Sequence, residues 1–479
     1  MTLKSGDRII INGRPVVVDD EVIKKFVDGD ALFGLSDGQI LHVDKGELAL
    51  VDNSVSAART AFRELGNCTA DQISLFYSKF AEKLLDSKIR QSLLNANAMD
   101  VQSAKERNRQ TTRLLLTEKV LDAMVDALQM WQMTPQTTGM VLELVEHDGW
   151  RVQSEVAPLG VVAFVFEGRP NVFADATGVL RSGNTCVFRI GSDALGTARS
   201  MMELAVRPAL EEASLPLDSV ILLDAASHSS AWALCANRKI ALAVARGSGT
   251  AVSQLGEIAQ QSGTAVSLHG TGGAWMLLGK HPDADRLSQV IERSLDRKVC
   301  NTLNVIGIPQ SLATEVIPVI AKAISSAGER RGQVSIVHAC PQSLPLLKMY
   351  DGSLELAPLQ DGELSVEWEW DDIPECSVFV FDDLKHAVEM FNEYAPNFIV
   401  SLVSDNKEEF EFVWRNIEAP FVGNGFTRWV DGQFALNKPE LGLSNWQNGR
   451  VLGRGSILSG DSVYSVRYRA DQQDINLSR

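Results

Sequence analysis

The chain has 479 residues, of which 45% are hydrophobic and 22% are charged, and its formal net charge is -16. This composition is typical of a globular protein, and the length predicts two or three packed units. The acidic balance provides no basic field for a phosphate backbone or an anionic membrane, so it argues against nucleic-acid and membrane partners. The sequence shows no secretory signal pattern and no run of about 18 apolar residues, which predicts a cytoplasmic protein.

Six cysteines are scattered along the chain without any Cys-x-x-Cys pair or zinc-like histidine spacing. The sequence therefore predicts no metal site, and we expect most cysteines to be reduced residues of the core. Cys186 and Cys235 have apolar neighbours and fit that interpretation.

Two hairpins and a helical region are predicted before residue 157. Residues 1–50 predict a small β module, because Asn12-Gly13 separates two apolar runs in the manner of a type I′ hairpin. Residues 53–135 show apolar side chains at spacings of three and four, including Leu114, Leu115 and Leu121, which indicates helices. Residues 140–156 alternate around Asp148-Gly149, which predicts a second, long hairpin.

After residue 157, short apolar runs alternate with helical segments, a pattern that predicts parallel α/β sheets. We expect strands at 160–166, 185–189, 220–223, 240–244, 264–268, 274–278, 303–308, 334–337 and 378–381. Residues 463–468 alternate like an exposed strand and are expected to pair with the second hairpin of this or a neighbouring subunit.

Cys300 is the best candidate for a nucleophile, because it lies on a polar loop directly before an apolar strand. The neighbouring Arg297 and Lys298 favour the thiolate, which is the form that attacks a carbonyl carbon. Taken by itself, Cys300 is also interpretable as an ordinary loop cysteine.

Asn171 follows another predicted strand at the edge where open α/β sheets bind ligands. Its amide N–H is a candidate donor to the oxyanion that forms when a thiolate adds to a carbonyl. The alternative is that Asn171 only caps the following helix.

Two strand-to-helix turns are candidates for dinucleotide binding. In the first, Arg189 can meet a phosphate, Gly191 permits close backbone approach, and Ser192 can bind a ribose or cap a helix. The second turn offers backbone N–H groups that suit a pyrophosphate, although it lacks the usual Gly-x-Gly-x-x-Gly spacing and is also interpretable as a tight turn. Its residues are Arg246, Gly247, Ser248 and Gly249.

The order of these motifs gives the chain a resemblance to a known family. From about residue 53 onward it resembles the gamma-glutamyl phosphate reductase (glutamate-5-semialdehyde dehydrogenase) branch of the aldehyde dehydrogenase superfamily. The matching segments are Ala157-Pro-Leu-Gly-Val161, Glu167-Gly-Arg-Pro-Asn-Val172, Ser182-Gly-Asn184, Arg189-Ile-Gly-Ser-Asp-Ala194, Arg246-Gly-Ser-Gly249, Val299-Cys-Asn-Thr-Leu303 and Glu440-Leu-Gly-Leu-Ser444.

The resemblance implies an aldehyde dehydrogenase-like α/β fold with two parallel α/β domains and an oligomerisation hairpin, to which the N-terminal β module is added. The expected divisions are 1–50 for the module, 53–138 with 157–270 for the dinucleotide-binding domain, 139–156 with 440–479 for the hairpin and tail, and 271–439 for the catalytic domain. A homo-oligomer, either a dimer or a tetramer, is expected.

The resemblance also implies the reaction. Cys300 attacks an acyl phosphate and expels phosphate, and the resulting thioester is reduced to an aldehyde by NADPH, while Asn171 and the Cys300 backbone N–H hold the oxyanion. Arg189 favours NADP(H) over NAD through the 2′-phosphate, or else forms a salt bridge. Glu369 corresponds to a ligand of the nicotinamide ribose, or else is an exposed acid.

Several departures from the family pattern bear on the substrate. The segments 273–276, 395–398 and 436–439 differ where the acyl pocket is expected, so the substrate is gamma-glutamyl phosphate or a related acyl phosphate. Residues 1–50 are too few for a kinase domain, so a separate acyl kinase is the expected partner. Residues 264–270 contain no carboxylate, although hydrolytic relatives carry a base there, and this favours exchange with phosphate over hydrolysis. Two other functions stay open, namely reduction of a coenzyme A or carrier thioester by the same cysteine and a non-catalytic scaffold.

Overall fold

The computed structural model describes residues 4–11, 14–109, 111, 113–168, 171–280, 282–360, 362–430, 435–443 and 456–477. These residues form two compact units, one within Met1–Leu268, Asn437–Leu443 and Ile457–Arg479 and the other within His269–Leu436. No helix in the described ranges is long and apolar enough to cross a membrane.

The strands are numbered in chain order. They are β1 (Arg8–Ile11), β2 (Arg14–Val17), β3 (Ala31–Gly34), β4 (Ile40–Val43), β5 (Val141–His147), β6 (Trp150–Pro158), β7 (Val161–Phe166), β8 (Thr185–Ile190), β9 (Val220–Leu222), β10 (Ile240–Arg246), β11 (Ala265–His269), β12 (Ala274–Leu278), β13 (Leu303–Pro309), β14 (Ser335–Ala339), β15 (Leu354–Pro358), β16 (Glu375–Phe381), β17 (Ile399–Val403), β18 (Phe421–Gly423), β19 (Glu440–Leu443), β20 (Ile457–Ser459) and β21 (Tyr464–Gln472).

The α-helices are numbered in the same way. They are α1 (Asp20–Lys25), α2 (Lys45–Leu65), α3 (Ala70–Leu85), α4 (Ser87–Glu106), α5 (Glu118–Met133), α6 (Val172–Ala176), α7 (Leu195–Met201), α8 (Arg207–Glu212), α9 (Ser229–Ala236), α10 (Gly249–Ser262), α11 (Ala284–Ser294), α12 (Ala313–Glu329), α13 (Leu344–Leu347), α14 (Leu384–Tyr394) and α15 (Lys407–Asn416). A π-helical turn, Met202–Val206, joins α7 to α8.

The first unit is built on a five-stranded sheet in the order β11-β10-β7-β8-β9. The pairings of β7 with β10, of β7 with β8 and of β8 with β9 are parallel. All six residues of β7 and of β8 are buried, which explains why their sequences are continuous apolar runs rather than alternating ones. Because these strands are parallel, the turns that follow them meet at one edge of the sheet.

The second unit is built on a seven-stranded sheet in the order β15-β14-β16-β13-β12-β17-β18, whose neighbouring pairs are all parallel. Its central strands β12 and β17 are buried throughout. The two parallel α/β units confirm the predicted fold class. The sequence analysis predicted β12, β13, β14 and β16 but assigned no strand to β15, β17 or β18.

The predicted hairpins are present in the first unit. Strand β5 pairs antiparallel with β6 across Asp148 and Gly149, and Gly149 has the positive φ of 79° that this turn requires. Strand β21 pairs with β6 of the same chain, so the expected pairing of the tail is confirmed within one subunit. Strands β1 and β2 also pair antiparallel, while the turn residues Asn12 and Gly13 lie outside the described residues.

The last described residues contribute to the core of the first unit. Leu441, Leu458 and Val463 belong to the apolar cluster that also contains β7 and β8 residues. The Ser182 hydroxyl donates to the Gly460 carbonyl (2.5 Å), and the Asn184 amide donates to the Val463 carbonyl (2.6 Å). These bonds give the Ser182-Gly-Asn184 segment a structural role.

One part of the helix prediction is wrong. Leu114 and Leu115 lie before α5, which begins at Glu118 after the Thr117 side chain caps its first turn. The segment is held by the buried Asn97, whose side chain donates to the Leu114 carbonyl (2.8 Å) and accepts from the Leu116 N–H (2.8 Å). Leu114 is therefore buried, at 3% exposure, without lying in a helix. The spacing of apolar residues alone could not distinguish this segment from a helix.

Candidate active site

The candidate residues fall into two groups. Asn171 and the predicted dinucleotide-binding turns lie in the first unit, whereas Cys300 and Glu369 lie in the second. Each group is therefore described within its own unit.

The turns after β7, β8 and β10 lie side by side in the first unit. The Glu167 N–H donates to the Arg246 carbonyl (3.2 Å), and the Gly191 N–H donates to the Phe166 carbonyl (3.0 Å). A Cβ atom on Gly247 would lie 2.8 Å from the Glu167 Oε1 atom, so a side chain there would require the Glu167 carboxylate to move. The structure thus brings the two predicted glycine turns together around the end of β7.

The second of these turns leads into α10, a helix of 14 residues that begins at Gly249. Ser248 precedes the helix, and its side chain makes no capping hydrogen bond to the described backbone. The first-turn N–H groups and the helix dipole therefore suit an anionic group such as a diphosphate. The Ser248 N–H already donates to the Glu167 carboxylate (3.2 Å), so a bound diphosphate would replace or share that acceptor.

Arg189 lies at the end of β8 and is only 3% exposed. Its guanidinium donates to the Ser227 carbonyl (2.7 Å). Burial lowers the pKa of Arg189, while the nearby carboxylates of Glu167 and Glu47 oppose that shift. Part of its donor set is therefore used within the protein, and contact with a ribose phosphate stays a prediction. Ser192 begins a short 3-10 turn, Ser192–Ala194, beside it.

Asn171 lies immediately before α6, as the sequence predicts. It occupies the N-cap position, but its side chain makes no capping hydrogen bond to the described residues of that helix. The amide is therefore not committed to the structural role that we considered as the alternative. The preceding Arg169 and Pro170 lie outside the described residues.

Cys300 lies in a turn before β13 and is partly buried. The turn is closed by the Val299 N–H, which donates to the Thr302 hydroxyl (2.9 Å), and by the Thr302 N–H, which donates to the Val299 carbonyl (3.0 Å). The Gly273 N–H donates to the Cys300 carbonyl (2.7 Å). A Cβ atom on Gly272 would lie 2.4 Å from that same carbonyl oxygen. Gly272 and Gly273 thus pack directly against the candidate nucleophile.

The 3-10 helix Thr427–Val430 also contacts the Cys300 turn and helps to fix its position. The Thr427 hydroxyl donates to the Asn301 carbonyl (2.8 Å), and Arg428 binds Asp296 (2.9 Å). Arg428 is 7% exposed, whereas the Asp296 side chain is 52% exposed, so the pair lies at the surface with its arginine buried. Sequence reasoning did not select either residue, because a threonine and an arginine in a distant short helix carry no local pattern.

Two carboxylates lie near Lys298, which precedes Cys300 by two residues. Glu369, the predicted ribose ligand, has a side chain that is 63% exposed and lies 4.0 Å from the Lys298 Nζ atom. Its contact with a nicotinamide ribose stays a prediction. Glu367 lies closer, with an Oε1 atom 2.7 Å from the same nitrogen, and was missed.

The remaining cysteines are poor candidates for chemistry. Cys186, Cys235 and Cys376 are at most 1% exposed, and burial raises the pKa of each thiol, to about 12 for Cys235 and Cys376. All six cysteines are described, and none forms a disulfide. Among the described residues no cluster of His, Cys, Asp and Glu could hold a metal ion. These findings confirm the prediction of reduced core cysteines for these three.

Comparison with known proteins adds to the geometry. The aldehyde dehydrogenase family profile matches residues 35–332. The gamma-glutamyl phosphate reductase of Streptococcus suis is 28% identical over 385 residues, covering 78% of this chain and 88% of that protein. The corresponding protein of Thermotoga petrophila is 28% identical over 398 residues, covering 81% and 90%.

Solved structures of related proteins share the fold. A gamma-glutamyl phosphate reductase from Thermotoga maritima superimposes with a TM-score of 0.79 at 24% identity, covering 90% of this chain and 100% of that one. A propionaldehyde dehydrogenase from a Clostridium phytofermentans microcompartment gives a TM-score of 0.61 at 15% identity, with coverages of 89% and 98%.

Proposed function

The chain belongs to the aldehyde dehydrogenase family, and from that premise we propose that it reduces an acyl phosphate to an aldehyde with NADPH through a Cys300 thioester. Membership implies an oxidoreductase that acts on an aldehyde group and uses a nicotinamide cofactor. The acyl phosphate is supported by the curated relatives named gamma-glutamyl phosphate reductase. The single observation that carries the proposal is the Cys300 turn, packed on Gly272 and Gly273 and flanked by Lys298.

The protein's part in the reaction follows from the thiol. Cys300 as thiolate adds to the acyl carbonyl carbon, the carbon–oxygen bond to phosphate breaks, and phosphate leaves with that electron pair. Asn171 and the Cys300 backbone N–H donate to the oxyanion formed in that addition. After reduction at the same carbon, Cys300 leaves as thiolate and the aldehyde is released. When bound, NADPH supplies the hydride.

Residues of the first unit would hold the cofactor. The glycine turns at Gly191 and Gly247 pack closely on the end of β7, where a Cβ atom on Gly191 would lie 3.3 Å from the Gly168 nitrogen, and the uncapped start of α10 suits the diphosphate. Arg189 is proposed to select the 2′-phosphate of NADP(H), with Ser192, Arg246, Ser248 and Gly249 completing the turn contacts. Glu369 is proposed for the nicotinamide ribose in the second unit.

The absence of a carboxylate from residues 264–270 supports phosphate as the group exchanged with the acyl chain. Hydrolysis of a thioester needs a base that activates water, and this segment contains no carboxylate to act as that base. A separate acyl kinase would then provide the substrate.

The proposal is tested by oxidising aldehydes with NADP in the presence of phosphate or arsenate, in parallel with coenzyme A. We expect turnover that depends on phosphate or arsenate, and a loss of several orders of magnitude in Cys300→Ser. Dependence on coenzyme A alone would instead assign a thioester reductase. If NADPH fails to bind in a fluorescence titration, the reductase proposal is rejected in favour of the non-catalytic scaffold.

A further inference from the structure

Glu367 uses both of its carboxylate oxygens near Cys300. Its Oε2 atom accepts from the Gly272 N–H (2.5 Å), and its Oε1 atom accepts from the Lys298 ammonium (2.7 Å). The Lys298 and Glu367 side chains are 5% and 13% exposed. Because burying charge is costly, removal of one member of such a pair leaves a poorly compensated charge in a buried site.

Both partners of Glu367 adjoin Cys300. Lys298 precedes it by two residues along the chain. A Cβ atom on Gly272 would lie 2.8 Å from the Cys300 Cβ atom, and the next residue, Gly273, donates to the Cys300 carbonyl (2.7 Å). One carboxylate therefore ties the segment before Cys300 to the glycine backbone on which Cys300 rests.

The segment that carries Glu367 is itself fixed to the sheet. Asn304, in β13 and 3% exposed, donates to the Val366 carbonyl (2.7 Å) and accepts from the Trp368 N–H (2.9 Å). The Trp368 ring stacks on His338 with centroids 3.6 Å apart, and its indole N–H donates to the Ser377 hydroxyl (2.8 Å). Glu367 thus projects from a rigid support rather than from an unattached loop.

We propose that Glu367 is a positioning residue that sets the orientation and the electrostatic environment of the Cys300 thiol. This inference rests on the proposed function, in which Cys300 is the nucleophile. As an ion pair, Lys298 and Glu367 present little net charge to the thiol. Removal of Glu367 leaves the buried Lys298 ammonium with the more distant and exposed Glu369 carboxylate (4.0 Å), and removal of Lys298 leaves the buried Glu367 carboxylate with the Gly272 N–H.

The two partners predict opposite effects on the thiol. In Glu367→Ala or Glu367→Gln the Lys298 cation loses its close partner and the exposed Glu369, 4.0 Å away, compensates it only weakly. The cation then stabilises the thiolate, so the pH midpoint of Cys300 alkylation falls, by roughly one unit. In Lys298→Met the unpaired Glu367 carboxylate destabilises the thiolate, so the midpoint rises. Alkylation by iodoacetamide between pH 6 and 10, followed by peptide mass spectrometry, measures both shifts without any substrate.

Turnover measurements distinguish the positioning effect of Glu367 from the effect of its charge. Glu367→Ala removes the acceptor for the Gly272 N–H, and we expect turnover to fall roughly a hundredfold even though its thiolate is more abundant. Glu367→Gln keeps an amide oxygen for Gly272, and we expect a loss of less than roughly tenfold. Glu367→Gln is close to isosteric, so it keeps the test valid if the alanine variant does not fold.

Glu389→Gln is the control, because Glu389 is 61% exposed and forms a 3.6 Å surface pair with Lys385. It should match the parent in alkylation and in turnover. If Glu367→Gln and Lys298→Met also keep the parent's alkylation midpoint, or shift it in the same direction, the inference is overturned. If the opposite shifts occur but the parent shows no phosphate-dependent turnover, the environment assigned to Cys300 stands and the proposed function fails.

Discussion

Gly272 has the strictest steric requirement around the candidate nucleophile. We predict that Gly272→Ala displaces Cys300, because the new Cβ atom would lie 2.4 Å from the Cys300 carbonyl oxygen, which is backbone and cannot rotate away. The expected result is a loss of turnover of roughly a hundredfold and a destabilisation of about 1–3 kcal/mol. Initial-rate assays and thermal unfolding measure the two effects.

The control for that change is Gly425→Ala. Gly425 also lies in the second unit, and a Cβ atom there would have no described heavy atom within 4 Å. It should retain parental activity. Equal activity in both alanine variants would show that the Cys300 turn tolerates movement.

The six thiols are predicted to differ in reactivity. Cys300 should be alkylated first by iodoacetamide at pH 8, because it is partly exposed on a polar loop, whereas burial raises the pKa of Cys186, Cys235 and Cys376. Burial and the nearby Glu64 also raise the pKa of the Cys68 thiol. Peptide mass spectrometry over a time course ranks the sites, and faster labelling of Cys68 would contradict this order.

Single residues show how far the sequence alone could lead. Cys300 could be selected because its loop is polar and locally recognisable. Glu367 could not be told apart from Glu369, since the two acids lie two positions apart in one polar segment and carry the same local pattern. Only the three-dimensional placement of Lys298 and Gly272 beside Glu367 separates them.

At the scale of elements, Asp30 connects the N-terminal hairpin region to the start of α2. Its carboxylate contacts the His42 ring (2.7 Å) and accepts from the Lys45 N–H (2.9 Å). The hydrogen bond from His42 is the largest cause that lowers the pKa of Asp30 to about 2. The ionised carboxylate is therefore favoured in the folded state.

We predict that Asp30→Asn lowers the urea midpoint at pH 7. A carboxyl whose folded pKa is lowered stabilises the fold above its unfolded pKa of about 4, and that contribution is lost as pH falls toward about 2. The parent and the variant should therefore converge across this window in urea titrations. A difference that stays constant down to pH 2 would show that the ionised carboxylate is not responsible.

Burial made most of the central strands predictable, although β17, which is buried throughout, was not predicted. Strands β7, β8, β12 and β13 are buried on both faces, and their apolar runs identify them without further information. Strand β15 is a partly exposed edge strand of five residues that contains Glu355 and ends in Pro358, and β18 has only three residues, so neither carries a run that stands out from a loop.

At the scale of the whole molecule, we predict a homo-oligomer that covers strand β5. All seven residues of β5 are exposed, and β5 is an edge strand of its sheet. Its exposed side chains include Val141, Leu142, Leu144 and Val145. An apolar edge strand left in water would promote aggregation, so a second copy is the expected cover.

Leu144→Lys tests that prediction. Placing a charge on β5 should shift the particle toward the monomer mass in size-exclusion chromatography with light scattering, with an unchanged circular dichroism spectrum. Ile10→Lys, at a residue of β1 that is 71% exposed, should keep the parental mass. An unchanged mass for Leu144→Lys would place the subunit contact elsewhere.

The return of the chain to its first unit could not be predicted from local patterns. Strands β19 and β20 lie far along the chain from β7 and β8, and periodicity carries no information about partners so distant. The assignment of residues 440–479 to the tail came from the resemblance to a known family. The burial of Leu441 and Val463 in the core of the first unit explains physically why the chain returns there.

The packing of residues 441–463 on the first unit sets the order in which the two units can fold during synthesis on the ribosome. Gly460 packs so closely on Gly178 that a Cβ atom on Gly460 would lie 2.2 Å from the Gly178 carbonyl carbon. The Asn184 amide donates to the Val463 carbonyl and lacks this acceptor until Val463 has been synthesised. The first unit, most of which is translated before residue 269, therefore cannot complete its core until residues 460–463 have been synthesised. The seven described strands of the second unit's sheet all end by residue 423. This sheet can therefore form while the core of the first unit is still incomplete.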